Sequence, residues 1–212
     1  MRTVFLDLDG TLTDPLPGVE RSIRYALEKI GHPFAPEDDL GWVIGPPLME
    51  SFARLGVDDV DRAIALYRER YREIGLFENR VYDGIPGALE ALARAGYRLC
   101  LATAKPHEYA RRITAHFGLA RFMAAEFGPE LDGTLNDKGE LLAHALRQIG
   151  AEPEDCLMIG DRIHDFRAAE RVGMPAIGVE WGYGDAGELA RAALVCQRPE
   201  ELAEAARALF AK

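Results

Sequence analysis

The sequence predicts an α/β fold in which a doubly wound parallel sheet carries a small all-helical domain, inserted after its first strand. Short apolar runs that end in turn residues alternate with amphipathic stretches over most of the chain. Runs of four to six residues without polar alternation are typical of strands buried on both faces of a parallel sheet. By contrast, the stretch from about Pro15 to Tyr82 keeps helical spacing throughout.

Strands and helices of the predicted core alternate along the chain. The strands are predicted at Thr3–Leu6, Tyr97–Ala102, Cys156–Ile159, Ala176–Val179 and Ala193–Cys196. Helical patterns occur at Pro86–Ala95, Pro106–Phe117, Lys138–Ile149, Asp165–Val172 and Glu200–Phe210. Alternation of this kind implies parallel strands joined by crossover helices, and therefore a doubly wound sheet.

The inserted segment shows apolar residues at helical intervals and no convincing strand. One apolar face is formed by Val19, Ile23, Ala26, Leu27 and Ile30. Similar spacing continues in Pro47–Leu55 and Val60–Ile74. We therefore predict a core domain from residues 1–14 and 83–212, and a helical insert at residues 15–82.

The composition limits which partners the protein can have. Of its 212 residues, 48% are hydrophobic and 28% are charged, which is typical of a globular protein. The 35 acidic and 25 basic residues give a net charge of −10, which argues against binding nucleic acid polymers. The longest run without charged side chains, Leu40–Met49, has ten residues and is too short to cross a membrane.

The cysteines indicate a reducing compartment. Cys100, Cys156 and Cys196 are far apart, each lies in an apolar run, and none belongs to a CxxC pair. We interpret them as small buried hydrophobic residues. The sequence therefore predicts a cytoplasmic protein without a redox centre or a structural zinc site.

Residues able to do chemistry follow the predicted strands, at the point where each strand ends. Ligands of open parallel sheets bind beyond the carboxyl ends of the strands, so these residues are expected to converge. In chain order they are Asp7, Asp9, Thr103, Lys105, Lys138, Asp161 and Asp165. Four carboxylates at one sheet edge would repel one another without a cation, and oxygen ligands with no His or Cys cluster favour Mg²⁺. Hydroxyl and ammonium groups beside that metal would suit a phosphate, so the set indicates phosphoryl transfer.

The first acidic pair has two other interpretations. Asp7 and Asp9 could begin a calcium-binding loop, but such a loop needs glycine at its sixth position, where Leu12 stands. They could instead only cap the next element. That simpler interpretation leaves unexplained the second acidic pair, in GDRIHD, which follows another buried strand.

Lysine usage is an independent indication of an anion site. The chain has 21 arginines but only four lysines, and two of these, Lys105 and Lys138, fall near the loops of the expected site. A compact ammonium group suits a point contact with phosphate. Ordinary surface lysines at these two positions remain the alternative.

Three other features have weaker functional interpretations. Gly182, Gly184 and Gly187 match the GxGxxG pattern of dinucleotide sites, but too little chain follows to complete such a site, so we expect a glycine-rich loop beside the site. His164 lies inside GDRIHD, where a solvent-facing or locally bonded role competes with a role at the site. The Gly45–Pro47 turn is a candidate lid contact, or simply the start of a helix.

Four segments together resemble the haloacid dehalogenase superfamily of hydrolases, in its phosphatase branch. DLDGTLTD resembles the first motif of that family, LATAKP the second, Lys138 after LNDKG the third, and GDRIHDFRAAERVG the fourth. The resemblance runs nearly end to end and implies a Rossmann-like core with a helical cap inserted after the first motif. SIRYAL, VIGPPLMESF and FGPELDGTLNDK further resemble the phosphoglycolate-phosphatase-like subgroup, often described as 5′-nucleotidase-like.

The resemblance implies that Asp7 and Asp9 carry the reaction. Asp7 would attack phosphorus and form an aspartyl-phosphate, with one oxygen also on Mg²⁺. Asp9 would protonate the leaving alkoxide and then activate the water that hydrolyses the intermediate, while its main-chain carbonyl binds the metal. The residue chemistry agrees, because two carboxylates in different electrostatic settings can divide these roles. The resemblance also argues against a dehalogenase, since dehalogenases of the superfamily lack the aspartate found here at position 9.

The same resemblance assigns the remaining site residues to metal and phosphate. Asp161 would be a direct metal ligand, and Asp165 would orient that ligand or its waters. Thr103 and Lys138 would hold the oxygens of the transferring phosphoryl group. Lys105 belongs to the second motif and is expected to be a neighbour of the site.

These roles predict a Mg²⁺-dependent phosphomonoesterase that acts on a small metabolite, such as phosphoglycolate or a nucleoside 5′-monophosphate. The insert is expected to close over the site and select the leaving group. One alternative is a β-phosphoglucomutase-like phosphotransferase, in which a sugar phosphate replaces water as the acceptor. Another is a non-catalytic binding protein on the same fold, but that would predict damage to a catalytic set which is complete in this sequence. The natural substrate and the oligomeric state do not follow from the sequence.

Overall fold

The chain folds into two compact units. The computed structural model describes residues 1–33, 35, 39–44 and 47–211. One unit combines Met1–Thr13 with the chain from Val81 onward, and the other is formed within Asp14–Arg80. Within the described residues, no helix is both long enough and apolar enough to span a membrane.

The strands of the described chain belong to two sheets. Their bounds are β1 Thr3–Leu6, β2 Thr13–Asp14, β3 Arg80–Val81, β4 Arg98–Ala102, β5 Ala125–Phe127, β6 Cys156–Gly160, β7 Ala176–Val179 and β8 Leu194–Cys196. β2 and β3 pair as a two-stranded sheet, and the other six form the sheet of the first unit in the order β5-β4-β1-β6-β7-β8.

The large sheet is doubly wound, which confirms the predicted fold class. Each neighbouring pair of strands runs in parallel. The chain passes from β1 outward to β4 and β5, and then returns to β6 on the other side of β1. Ligands of such sheets bind where the winding reverses, which here is the carboxyl edge between β1 and β6.

The helices of the described chain connect these strands or form the insert. Their bounds are α1 Leu16–Ile30, α2 Leu48–Arg54, α3 Val60–Glu73, α4 Ile85–Arg94, α5 His107–His116, α6 Lys138–Ile149, α7 Ile163–Val172, α8 Ala186–Leu189 and α9 Leu202–Phe210. Short 3₁₀ helices lie at Gly41–Val43, Gly75–Phe77, Ala120–Phe122, Pro153–Asp155 and Pro199–Glu201.

The core of the first unit is built from strands with no solvent-facing side. β1, β6 and β7 are buried at every position, as their continuous apolar runs predict. Phe5, Met158 and Phe166 belong to one hydrophobic cluster with the apolar face of α6. Burying a side chain of this size stabilises the fold by about 1.5–3 kcal/mol. The three cysteines are also buried and form no disulfide, as predicted.

The start of α6 shows how local sequence places a functional residue. The Asp137 side chain accepts a hydrogen bond from the backbone N–H of Glu140 at 2.8 Å and so begins the helix. Gly150, in the left-handed conformation, ends it. Lys138 is therefore the first residue of a capped helix, and it is buried.

The second unit is a small helical bundle. α1 and α3 pack together, and α2 packs on α3. Aromatic rings fill the space between these helices: the Tyr67 and Tyr71 rings stack at 5.1 Å, and Phe52 meets Tyr67 edge-on. The all-helical prediction misses one short element, because Arg80–Val81 forms β3. Two residues are too few for any periodic pattern to reveal.

Two further strands were missed: β2, Thr13–Asp14, which is also only two residues long, and β5 of the first unit. The strand β5, Ala125–Phe127, pairs with β4 at the edge of the large sheet. All three of its residues are half-buried and the middle one is Glu126, so the segment has no continuous apolar run.

Residues 45 and 46 of the Gly45–Pro47 turn lie outside the described residues, so the structure does not test the interpretation of this turn.

Candidate functional site

All seven candidate site residues belong to the first unit, at the carboxyl edge of its sheet. Leu6 of β1 is in register with Leu101 of β4 and with Ile159 of β6. The residues that follow these three positions therefore emerge side by side. The Asp7 backbone N–H extends this register by one bond, donating to the Ile159 carbonyl at 2.9 Å.

A tight turn after β1 carries the first acidic pair. The backbone N–H groups of Leu12 and Thr13 both donate to the Leu8 carbonyl at 2.9 Å. Gly10 adopts φ +80°, and a Cβ atom there would overlap the Asp161 carboxylate. The turn thus needs glycine both for its backbone conformation and for its close approach to the second acidic pair.

Asp9 pairs with Lys105. The Lys105 Nζ atom lies 2.8 Å from Asp9 Oδ2, and the lysine side chain is only 7% exposed. Asp9 Oδ1 is buried and accepts no hydrogen bond from the part of the chain that the structure describes. Burial raises the pKa of Asp9 above its ordinary value, although the Lys105 ammonium opposes the increase. The structure therefore gives Lys105 a definite partner, where the sequence predicted only a neighbour of the site.

Lys138 pairs with two carboxylates. Its Nζ atom lies 3.0 Å from Asp7 Oδ1 and also contacts Asp165 Oδ1. Burial alone would lower the pKa of Lys138, but the Asp165 and Asp7 carboxylates outweigh it and raise that pKa well above its ordinary value. The lysine is therefore a permanent cation between the two acidic motifs. Asp165 Oδ2 accepts a further hydrogen bond from the Arg162 backbone N–H at 3.0 Å.

Asp161 is fully buried and held by donors on two other loops. The Thr11 hydroxyl donates to Asp161 Oδ1 at 3.3 Å, and the Tyr183 backbone N–H donates to Oδ2 at 2.8 Å. Burial raises the pKa of Asp161 to about 8, and the carboxylates of Asp165 and Asp7 add to the increase. A carboxyl group in this environment favours either a proton or a cation beside it.

Thr103 lies at the end of β4. Its side chain is buried, and its hydroxyl oxygen accepts a hydrogen bond from the Lys105 backbone N–H at 3.2 Å. The Thr103 backbone N–H donates to the Phe127 carbonyl of β5 at 3.0 Å. The missed strand therefore continues the sheet ladder at the position of this residue.

The acidic residues match the needs of a hard divalent cation. One oxygen from each of Asp7, Asp161 and Asp165 lies within 4.8 Å of the others, and all three residues are buried. With all groups ionised, the four carboxylates of the site face two ammonium groups, which leaves two negative charges in excess. An all-oxygen donor set with this charge suits Mg²⁺.

Sequence reasoning missed several residues that shape the site. Thr11 and Tyr183 donate to Asp161, and the indole N–H of Trp181 donates to the Thr11 carbonyl at 3.0 Å. The glycine-rich loop thus lies beside the site, because a Cβ atom at Gly182 would overlap Asp161. No local pattern pairs residues so far apart in sequence. The His164 side chain is exposed, and partial desolvation of its ring, together with the Arg162 charge, lowers its pKa.

Carboxylates and lysines gathered at the switch point of a doubly wound sheet are typical of an α/β enzyme site. The family model described as haloacid dehalogenase-like hydrolase matches residues 1–173. The chain belongs to this family, which confirms the resemblance seen in its four motifs.

Several relatives of the chain are named as particular enzymes. A 5′-nucleotidase of Pseudomonas aeruginosa is 47% identical over 88% of this chain and 86% of its own length. The phosphoglycolate phosphatase encoded on a plasmid of Cupriavidus necator is 30% identical over 87% of this chain and 83% of its length. Tyrosine-protein kinase PtkA of Mycobacterium tuberculosis is 42% identical over 86% of this chain, which spans only 63% of that protein.

Solved structures support the same assignment. A crystal structure of a predicted phosphatase from Clostridium acetobutylicum matches with a TM-score of 0.87 and 36% identity, covering 96% of this chain and 97% of that one. These comparisons confirm the predicted family and the predicted class of enzyme, a phosphatase.

Proposed function

We propose that this phosphatase is a Mg²⁺-dependent phosphomonoester hydrolase that acts on a small phosphorylated metabolite through an aspartyl-phosphate on Asp7. The observation that carries the proposal is the charge arrangement at the sheet edge. The four carboxylates of the site outnumber its two ammonium groups by two, and the two lysines pair with different aspartates of the first motif. One divalent cation would balance this excess, and once Asp9 is protonated the site would keep one positive charge for a phosphate.

The metal would be held by oxygen ligands from both acidic motifs. Asp7 and Asp161 would supply carboxylate oxygens, and Asp9 its main-chain carbonyl. Asp165 would orient the ligands, since both of its oxygens already contact other groups, the Lys138 ammonium and the Arg162 backbone N–H. When bound, Mg²⁺ would neutralise charge on the phosphate and on the carboxylates around it.

In the first step, an Asp7 carboxylate oxygen attacks phosphorus and the bond from phosphorus to the ester oxygen breaks. The leaving alkoxide takes a proton from the Asp9 carboxyl group. The raised pKa of Asp9, caused by its burial, supports this role because the group must start protonated. The product alcohol leaves, and Asp7 carries the phosphoryl group.

In the second step, the Asp9 carboxylate accepts a proton from water while the water oxygen attacks phosphorus. The acyl-phosphate bond breaks, which releases inorganic phosphate and restores the Asp7 carboxylate. Asp9 is then protonated again and ready for the next substrate. The ion pair with Lys105 supports the ionised form of Asp9 that this step requires.

The remaining polar groups would bind the oxygens of the transferring phosphoryl group. The Thr103 hydroxyl would donate one hydrogen bond, and the Lys138 ammonium would stabilise the charge that develops. Two observations support this role for Lys138: its side chain is buried, and its Nζ atom lies 3.0 Å from an oxygen of Asp7, the proposed nucleophile. It can therefore contact both the nucleophile and the group that Asp7 attacks.

The substrate is proposed to be a nucleoside 5′-monophosphate or phosphoglycolate. This proposal is supported by the names of two relatives, a 5′-nucleotidase and a phosphoglycolate phosphatase. We propose that residues 15–82 form the cap that selects the leaving group, and that the core is formed by residues 1–14 and 83–212. The net charge of −10 supports small substrates over nucleic acid polymers.

A second candidate is transfer of the phosphoryl group to an acceptor hydroxyl instead of water. It is favoured by the 42% identity to a protein named tyrosine-protein kinase. Phosphomutase chemistry belongs to the same class, since a sugar phosphate would then be the acceptor. Hydrolysis is distinguished from both kinds of transfer, to a protein hydroxyl and to a sugar phosphate, by comparing the release of free phosphate with phosphoryl transfer to added acceptors.

Substitution of the nucleophile tests the proposed hydrolysis. Asp7→Asn removes the attacking carboxylate while keeping its shape, so hydrolysis of p-nitrophenyl phosphate with Mg²⁺ should fall by about 1,000-fold or more. Asp155→Asn is the matched control, because Asp155 is 54% exposed and precedes β6, whereas Asp161 follows the opposite end of that strand. Chelation of Mg²⁺ should abolish wild-type hydrolysis. Full activity of Asp7→Asn would contradict the mechanism.

A further inference from the structure

Glu188 contacts the second acidic motif, although it belongs to none of the four motifs. It lies in the short helix α8 and is 20% exposed. Its Oε2 atom accepts hydrogen bonds from Arg162 Nε at 2.9 Å and from the Ile163 backbone N–H at 2.7 Å. Its Oε1 atom accepts a third from the Arg162 guanidinium at 3.2 Å. A single carboxylate thus holds both residues that follow Asp161.

The bonds to Glu188 suit its position in the fold. Ile163 is the first residue of α7, so its N–H group has no partner within the helix and lies at the positive end of the helix dipole. A carboxylate is the favoured acceptor there. The Arg162 guanidinium adds a charge-assisted, two-pronged contact to the same carboxylate. The arrangement is therefore specific for a charged, correctly placed glutamate.

The loop that leads to Glu188 also touches Asp161 directly. The Tyr183 backbone N–H donates to Asp161 Oδ2, and Trp181 bonds to the Thr11 carbonyl. The loop is therefore attached to the acidic centre at its start through Tyr183 and at its end through Glu188. The Asp185 side chain accepts a bond from the Glu188 N–H at 2.9 Å, which fixes the short helix between these attachments.

We propose that Glu188 is a positioning residue that sets the orientation of the Asp161 carboxylate for the divalent cation. It does so by clamping the turn after Asp161 to the loop whose N–H group holds that carboxylate. This inference rests on the proposed function, because it assumes that Asp161 is a metal ligand. Groups that orient metal ligands typically change metal affinity by 10- to 100-fold when they are removed.

Three variants separate positioning from charge and from general stability. Glu188→Gln removes the charge but keeps the length, and Glu188→Asp keeps the charge but shortens the reach. Glu170→Gln is the matched control: Glu170 forms an ion pair with Arg191 at 2.6 Å and is 67% exposed, and among the described contacts its side chain bonds to none of the site residues. Each purified variant is titrated with Mg²⁺ alone by calorimetry, and its melting temperature is measured in EDTA.

The expected result is a dissociation constant for Mg²⁺ raised about tenfold or more in both Glu188 variants and unchanged in Glu170→Gln. An unchanged affinity for Mg²⁺ in Glu188→Gln would overturn the inference. An affinity that is lost in Glu188→Gln but normal in Glu188→Asp would also overturn it, because the charge of the carboxylate and not its position would then matter. A lower melting temperature in EDTA with unchanged affinity would assign Glu188 a purely structural role. If Glu188→Gln fails to fold, Glu188→Asp decides the outcome. Wild-type protein that binds no Mg²⁺ would overturn the proposed metal site together with this inference.

Discussion

Two lysines give the two aspartates of the first motif different surroundings. Asp7 shares Lys138 with Asp165, whereas Asp9 pairs with Lys105 at 2.8 Å and keeps one buried oxygen without a hydrogen bond. Burial raises the pKa of Asp9, which favours its protonated form. Carboxylates only two positions apart can therefore serve as nucleophile and as acid.

The pH dependence of Lys105→Met tests this division. Burial raises the pKa of Asp9 and the Lys105 ammonium lowers it, so removing the ammonium should raise that pKa further. Because Asp9 must start protonated, activity should then persist to higher pH. The alkaline limb of the profile of kcat/KM for an alkyl phosphate should move upward.

Lys29→Met is the control for the loss of one lysine. Lys29 is exposed, lies in the last turn of α1 and does not contact the site residues within the described contacts. Its profile should match that of the wild type. An alkaline limb that stays in place in Lys105→Met, or moves to lower pH, would contradict the role assigned to the ion pair with Asp9.

The site residues were predictable where strand ends identify them. Asp7, Thr103 and Asp161 each follow a buried apolar run, and parallel strands bring such positions to one edge. The sequence did not reveal three other residues, Thr11, Tyr183 and Glu188, because their roles depend on contacts to residues far away in sequence. Even the pairing of Lys105 with Asp9 joins positions 96 residues apart, which no local pattern specifies.

At the scale of elements, a continuous apolar run decides which strands could be predicted. β1 and β6 are buried at every residue, so their sequences are apolar throughout. β5 lies at the sheet edge and is half-buried, so its sequence AEF carries no such signal. Edge strands need fewer apolar residues because only part of their surface contacts the core.

An ion-pair cluster ties together the helices of the second unit. Glu78 accepts hydrogen bonds from Arg70 of α3 at 2.7 Å and from Arg21 of α1 at 2.8 Å. Arg70 also donates to the Ser22 hydroxyl at 3.1 Å. The hydrogen bond from Arg70 lowers the pKa of Glu78, and Arg21 adds to the effect, although partial burial opposes it.

Glu78→Gln should destabilise this unit at neutral pH by about 1 kcal/mol, because a charge-assisted contact is lost. A carboxylate with a lowered pKa contributes stability above its unfolded pKa and loses it as the pH falls through the folded value. The difference between wild type and variant should therefore shrink as the pH falls below about 4.5. Amide hydrogen exchange in α1 and α3 measures this difference in stability between wild type and Glu78→Gln.

Glu73→Gln is the matched control in the same unit. Glu73 pairs with Arg72, but both side chains are largely exposed, at 64% and 60%, so its loss should change exchange rates little. Equal effects of the two substitutions would contradict the structural role of Glu78. So would a difference for Glu78→Gln that grows as the pH falls.

At the scale of the whole molecule, the excess of acidic residues has two distinct parts. Of the 35 acidic residues, four gather at one sheet edge and form the candidate site, and the others lie outside it. The overall charge of −10 therefore says little about the ligand. Local pairing decides which ligand fits, because a divalent cation held there would make the acidic edge suitable for an anionic phosphate.

Mg²⁺ should stabilise the folded protein, and more so at higher pH. Because the pKa of Asp161 is raised to about 8 by burial, the metal must displace a proton below that pH. At 100 times its dissociation constant, Mg²⁺ should add about 2.7 kcal/mol to the free energy of unfolding. Calorimetric melting at pH 8 should show a larger increase in Tm than at pH 6, relative to Na⁺ at equal ionic strength. No increase at either pH would contradict the metal site.

The proposed covalent intermediate on Asp7 can be detected directly. Asp9→Asn removes the group proposed to activate water, while p-nitrophenolate leaves without help from an acid. The account predicts a stoichiometric burst of p-nitrophenolate in this variant, followed by slow turnover, and mass spectrometry of the quenched enzyme should find the phosphoryl group on Asp7. A burst is the kinetic sign of an accumulating covalent intermediate. Slow release without a burst, and with Asp7 unmodified, would mean direct attack by water and would contradict the central claim.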